Sequence, residues 1–367
     1  MKTPNRRRIE LSKPLPDFER LEPRCLMAGL PSLIDLRPGA PSSEPKEFCN
    51  VNGTTFFVAN NGTSGEELWK TDGTIAGTVL VKDIRTGSAG SVSRYLTNVN
   101  GTLFFSATDG THGYELWTSN GTTAGTVMVK DIQTGGFGSV PKWLTNVRGT
   151  LFFSGTNGSS GYELWKSDGT ESGTVLVKNI QPGSYGSVPS YLTNVNGTLF
   201  FSGTDGSSGY ELWKSDGSVA GTVLVEDIQF GSYGSVPQFL TNVNGTLFFQ
   251  AINGINGYEL WKSDGTTSGT DLVRDIWFGP TGSVPQRLTN ANGTLFFSAI
   301  DGTNGYELWK SNGTFDGTVL VKDIWPGGSN SYPQNLVNVN GTLFFSAING
   351  TNGYELWRSN EIGRAHV

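Results

Sequence analysis

The chain has 367 residues, of which 51 are glycine, 11% are aromatic and only 16% are charged, the signature of many short strands joined by tight turns rather than of a disordered polymer. A formal net charge of −6 with no basic stripe argues against a nucleic-acid partner, and no uninterrupted apolar run is long enough to span a membrane as a helix. Cys25 and Cys49, the only cysteines, are too few for a disulfide scaffold or a cysteine-rich zinc site.

Residues 1–30 stand outside the pattern that governs the rest of the chain. Arg6-Arg7-Arg8 is basic, but Glu19, Glu22 and Arg24 interrupt any apolar stretch of the kind a secretory signal needs. The run Leu21-Glu22-Pro23-Arg24, with Cys25, Leu26 and Met27 after it, resembles the LEPR-XLL leader of large surface or exported proteins of planctomycete-type bacteria. That resemblance covers about nine residues and implies an extracellular or cell-envelope address.

From residue 31 onward a 48-residue period takes over. Tryptophan recurs at Trp69, Trp117, Trp165, Trp213, Trp261, Trp309 and Trp357 with no insertion or deletion between copies. A fixed period of this length is the mark of a stacked or circular repeat architecture. Within one period the alternation of apolar residues predicts four strands. Strand a covers Tyr95 to Val99, and Asn100-Gly101 is a two-residue turn of the kind that needs positive φ. Strand b follows from Thr102 to Thr108, strand c from Tyr114 to Ser119 and strand d from Thr126 to Ile132, before a crossover from Gln133 to Pro141 leads to the next strand a.

Both faces of such a sheet are apolar. Leu116 points one way and Trp117 the other, and Phe104 opposes Leu103 and Phe105. Each sheet must therefore be covered on both sides, which successive copies do for one another in a β-propeller. The last period stops after strand c, at Ser359, while Leu33 to Arg37 reads as a lone strand d at the other end. Pairing the two predicts a seven-bladed ring over residues 31–360, closed by the N-terminal strand and monomeric. Residues 361–367 break the pattern and read as a non-native tail, the translation of a sequencing adaptor.

The repeat resembles the ELWxxDGT family of bacterial surface proteins, with Glu163-Leu164-Trp165-Lys166-Ser167-Asp168-Gly169-Thr170 as its clearest copy. Asn120 and Asn312 replace the aspartate and Ser218 the last threonine. The resemblance runs from Ser32 to Asn360 and implies a propeller-like surface module with no established chemistry.

The candidate chemistry is thin because the acids repeat. Glu67, Glu115, Glu163, Glu211, Glu259, Glu307 and Glu355 share one phase, and a catalytic acid is needed only once, so they are read as fold-making residues. Asp83, Asp131, Asp227, Asp275 and Asp323 are expected to bond local backbone, with Asn179 substituting in one copy. His112 is a lone turn histidine. The Asp-Gly-Thr turns offer one carboxylate each, fewer than a calcium loop needs; no cofactor is expected, with calcium in some turns as the alternative.

Variation concentrates in the crossovers, where Phe137, Trp143, Tyr185, Tyr191, Tyr233, Phe239, Trp277 and Trp325 fall at three phases expected to share one rim of the ring. Clustered aromatics stack on sugars or fill protein hot spots, so these eight are the candidate binding residues. No catalytic or metal residue is assigned. The expected function is a non-catalytic surface or secreted module offering a rigid binding or scaffold face to a protein or glycan; the alternative is a carbohydrate-active hydrolase or lyase with carboxylates at the central channel.

Overall fold

The computed structural model describes residues 33–39 and 41–359, so the expected leader and tail lie outside the described residues. It is all-β apart from one 3-10 turn at Thr267–Gly269. The first sheet holds β1 (Lys46–Val51), β2 (Thr54–Asn60), β3 (Glu66–Thr71) and β4 (Val79–Lys82), and the second holds β5 (Arg94–Val99), β6 (Thr102–Thr108), β7 (Tyr114–Ser119) and β8 (Thr126–Lys130). The third is β9 to β12 (Lys142–Val147, Thr150–Thr156, Tyr162–Ser167, Val175–Lys178) and the fourth β13 to β16 (Ser190–Val195, Thr198–Thr204, Tyr210–Ser215, Val223–Glu226). The fifth is β17 to β20 (Gln238–Val243, Thr246–Ile252, Tyr258–Ser263, Asp271–Arg274) and the sixth β21 to β24 (Gln286–Ala291, Thr294–Ile300, Tyr306–Ser311, Val319–Lys322). The seventh has three strands, β25 to β27 (Gln334–Val339, Thr342–Ala347, Glu355–Ser359). Every sheet is an antiparallel meander in chain order.

Local chemistry explains the strand boundaries. Asn100 and Gly101 have φ of 50° and 83°, both positive as a type I′ hairpin requires, and the Asn98 side chain caps the turn by accepting from the Gly101 N–H at 3.0 Å. At the other end of the sheet, Gly113 and Gly138 are backbone against backbone: a Cβ on Gly138 would sit 2.3 Å from the Tyr114 nitrogen, and its φ is +68°. Only glycine meets both conditions. That contact seats each crossover on the start of the third strand of its sheet.

The sheets pack on one another as the two apolar faces demand. Leu103, Phe105, Ala107 and Trp117 of the second sheet meet Val51, Phe56, Leu68, Val81 and Ile84 of the first. Phe104 and Leu116 face the other way, with Val99 and Val129, against Leu151, Phe153 and Trp165 of the third. The same set recurs along the array. The first strands of successive sheets adjoin, tied by a ladder in which Asn98, Asn146, Asn194, Asn242 and Asn290 each donate to the main-chain oxygen of the equivalent asparagine one sheet back, at 2.9–3.1 Å. Thr97, Thr145, Thr193 and Thr241 donate in the opposite direction, to Leu144, Leu192, Leu240 and Leu288.

The ends differ from the expectation of a closing strand. Residues 33–37 form no strand, and the seventh sheet stays three-stranded. Leu36, one period before Ile84, packs instead on Phe57 and Trp69 of the first sheet. The far face of the seventh sheet is uncovered: Leu356 is 76% exposed where its equivalent Leu308 is 1% exposed. No helix among the described residues is long and apolar enough to cross a membrane.

Candidate functional site

Each buried glutamate of the repeat is the anchor of a crossover. Glu163 is fully buried; its Oε2 accepts from the Ile180 N–H at 3.0 Å and the Ser187 hydroxyl at 2.6 Å, and its Oε1 from the N–H groups of Gln181 and Ser187 at 3.1 Å each. One carboxylate thus ties the beginning of the crossover to its end. Glu67, Glu115, Glu211 and Glu259 make the same four bonds. Burial pushes all of these carboxyls up, and Glu211 and Glu259 to about 7. Glu355, which has no crossover to hold within the described residues, is exposed.

The expectation that the aspartates after the fourth strands bond local backbone is not met at their Oδ1 atoms. One side-chain oxygen each of Asp83, Asp131, Asp227, Asp275 and Asp323 is buried without a hydrogen-bond partner. His112 stays local: its Nδ1 lies 2.7 Å from Asp109 in the turn before β7, and that bond raises its pKa. In the hairpin turns, Asp168 Oδ1 accepts from the Thr170 N–H at 2.8 Å and its hydroxyl at 2.7 Å. These carboxylates close their own turns.

The eight candidate aromatics separate into three groups. Trp277 lies over Gly302 and Trp325 over Gly350, in the turns of the following sheets, as Gln133 and Gln181 lie over Gly158 and Gly206. That phase packs one sheet onto the next. Phe137, Tyr185 and Tyr233 project from the crossover tips, 82–85% exposed, and Phe230 and Phe278, at a phase the periodic reading passed over, are 88% and 90% exposed.

The third group forms a shelf. Trp143 and Tyr191 meet with their rings tilted by 38° at 4.9 Å between centroids, and Tyr191 and Phe239 tilted by 54° at 5.9 Å. The cause is a bulge at the start of each first strand, where two residues oppose one on the neighbouring strand. The first bulge residue takes positive φ in all seven sheets: Glu47, Tyr95, Trp143, Tyr191, Phe239, Arg287 and Asn335, at 55–59°. Bulky side chains are rarely found there, and the bulge re-aims them. Val92, Val140, Val188, Val236 and Val284, just upstream, also have positive φ, held by bonds such as Val140 N–H to the Tyr114 oxygen at 2.9 Å.

Seven positions in this column carry six residue types, whereas the next position is leucine in every sheet but the first. The column is acidic at one end, where the Tyr95 N–H donates to Glu47 Oε2 at 3.0 Å and Lys46 pairs with Glu66 at 2.6 Å. A cleft of about 210 Å³ opens beside Tyr95, between Tyr114, Pro141 and Lys142, and an equivalent one of about 160 Å³ beside Arg287, between Tyr306, Tyr332 and Pro333. A larger cleft of about 430 Å³ lies at the opposite rim, between the fifth and sixth sheets. Its polar groups are engaged in the fold: Lys262 donates to the Gly313 oxygen at 3.0 Å and Asp264 closes the Thr266 turn.

No protein-family model matches the chain, and no curated protein matches it. Among solved structures it is similar to a prolyl endopeptidase at 11% identity and a TM-score of 0.52, covering 86% of this chain and 50% of that one. It is also similar to prolyl oligopeptidase B from Galerina marginata at 13% identity and a TM-score of 0.51, covering 86% and 49%. A puromycin hydrolase aligns at 14% identity and a TM-score of 0.49, covering 90% and 54%. The chain spans about half the length of these proteins, and at such identities the likeness is one of fold. The expectation of a non-catalytic binding or scaffold module is corrected to this extent: the similar solved chains named here are peptidases, and nothing in the comparison supports a non-catalytic role.

Proposed function

We propose that the chain is a carbohydrate-active propeller, a hydrolase or lyase, whose substrate lies along the aromatic shelf of the first strands. The observation that carries this reading is the bulge column itself: one phase of an otherwise monotonous repeat holds strained residues that vary from sheet to sheet and bring three aromatic rings into a row. Backbone strain of this kind costs about 1–3 kcal/mol per residue and collects at functional sites. Trp143, Tyr191 and Phe239 offer ring faces for successive sugar units. Glu47 is the carboxylate of the column and takes the role of general acid or base, with Glu44, three residues before it, and Glu66, the ion-pair partner of the neighbouring Lys46, as partners for a two-carboxylate mechanism. Arg287 binds acidic substituents.

A polysaccharide panel scored for reducing ends and for unsaturated products tests this. Glu47→Gln is expected to lower kcat by ~10²–10⁴-fold, and Trp143→Ala with Tyr191→Ala to raise KM. Absence of turnover, or turnover indifferent to Glu47→Gln, overturns the reading. Prolyl peptides belong on the same panel, because the similar solved chains are prolyl peptidases; cleavage of those alone would replace carbohydrate by peptide.

A further inference from the structure

We propose that the cleft beside Tyr95 is a subsite for a carboxylated sugar unit, which makes the substrate an acidic polysaccharide; the inference rests on the carbohydrate reading of the shelf and names the class of its substrate. The cleft, about 210 Å³, brings together two cations, Arg94 and Lys142, and two phenol rings, Tyr95 and Tyr114. Neighbouring residues of a regular strand point to opposite faces, yet Arg94 and Tyr95 open onto the same cleft. The bulge of β5 is the reason: its pairing passes from Arg94 opposite Ser106 to Thr97 opposite Phe104, and the extra residue re-aims the side chains beside it. The volume lies below the ~300–1,000 Å³ of ordinary ligand pockets, which suits one sugar ring rather than a stretch of chain.

The repeat supplies its own control for the charge. In the first sheet the cation at this phase, Lys46, is neutralised by Glu66 at 2.6 Å. One and two periods on, Glu66 gives way to Tyr114 and Tyr162, and neither Arg94 nor Lys142 has a carboxylate partner; the Lys142 ammonium lies 5.1 Å from the centre of the Tyr162 ring instead. In the other four sheets the phase holds Ser190, Gln238, Gln286 and Gln334, none of them charged. Two uncompensated cations therefore meet at one cleft of a chain whose net charge is −6. Such a pair attracts a carboxylate, to which an arginine presents paired N–H donors. Tyr95 also ties the cleft to the acid of the column, since its N–H donates to Glu47 Oε2 at 3.0 Å. The equivalent cleft of the sixth sheet holds one cation, Arg287, beside Gln286, so in the order of the sheets the three rings of the shelf lie between two cationic clefts. That order selects a polymer with acidic units at intervals over one that is neutral throughout.

Affinity electrophoresis and calorimetry of the full chain with polygalacturonate and alginate, each alongside its esterified and so uncharged form, test this. The free acid is expected to bind at least ~10-fold more tightly than the ester at low salt and to lose that advantage as salt rises. Arg94→Gln with Lys142→Gln is expected to weaken binding of the acid by ~10–100-fold, as for the loss of hydrogen bonds to a charged group, and to leave the ester unchanged. Glutamine is what Gln238, Gln286 and Gln334 already supply at the phase of both residues, so the fold is retained. Equal binding of acid and ester overturns the proposal, as does a preference for the acid that survives the double substitution. Binding of dextran sulfate in preference to both uronate polymers also overturns it, replacing carboxylate by sulfate. Trp143→Ala with Tyr191→Ala separates this inference from the reading it rests on: acid and ester bound alike, and both lost in that variant, refute the acidic subsite and leave the carbohydrate reading standing, whereas no binding of any glycan refutes both.

Discussion

Replacing Glu163 by alanine should be among the most damaging single changes in the chain, although no other residue is altered and no charge partner is lost. The substitution strands four buried donors: the N–H groups of Ile180, Gln181 and Ser187 and the Ser187 hydroxyl. Each unsatisfied buried donor costs about 1–3 kcal/mol. The side chain is fully buried, so solvent cannot simply take its place, but the loop can relax; the net cost should approach the ~3–5 kcal/mol typical of breaking a buried polar cluster. With unfolding entropies near 2.1 cal/mol/K per residue over roughly 320 ordered residues, ~4 kcal/mol corresponds to a drop of ~6 °C in a cooperative transition. Glu355→Ala is the control, because that copy is exposed; it should stay within about 0.5 kcal/mol of wild type. Denaturant titration of both variants checks the pair. Equal stability of Glu163→Ala and wild type would refute the anchor role, and an equal loss in Glu355→Ala would show that the last sheet is covered in solution as the inner ones are.

Two further outcomes follow from the same interior. Because burial raises the inner glutamates, with Glu211 and Glu259 at about 7, the folded state binds more protons than the unfolded chain above the ordinary carboxylate range. Stability contributed by these groups is full below that range and is lost as pH climbs through about 7. Turn aspartates such as Asp168 and Asp264 are lowered by bonds from Thr170 and Thr266 and act in the opposite sense, losing their contribution as pH falls below the usual aspartate value. A melting-temperature profile should therefore peak near about pH 4–5; a peak above neutrality would contradict it. Gly138→Ala should cost more than ~3 kcal/mol, since its Cβ would lie 2.3 Å from the Tyr114 nitrogen at positive φ; a neutral result in thermal unfolding would mean the crossover is not seated on β7.

Much of this architecture is legible in the residues, and the reasons are local. Period-two alternation places Leu116 and Trp117 on opposite faces, and Asn100-Gly101 announces its turn. The bulge column is not legible, because positive φ is usually marked by glycine or asparagine, and here tyrosine, tryptophan, phenylalanine and arginine occupy it. The conformation is imposed by bonds from neighbouring strands and leaves no signal in its own residue. Trp277 and Trp325 look like their exposed neighbours until the glycines beneath them are seen. Leu33 to Arg37 has the residues of a fourth strand by phase, yet forms none.

The asparagine ladder between the first strands carries a consequence for how such a chain can change. Every rung joins a residue to its own counterpart 48 positions away, so each interface matches any other copy as well as its own neighbour. Unequal recombination that removes or duplicates whole periods would leave every rung correctly paired, and the length of the array becomes a quantity heredity can adjust without passing through a misfolded intermediate form.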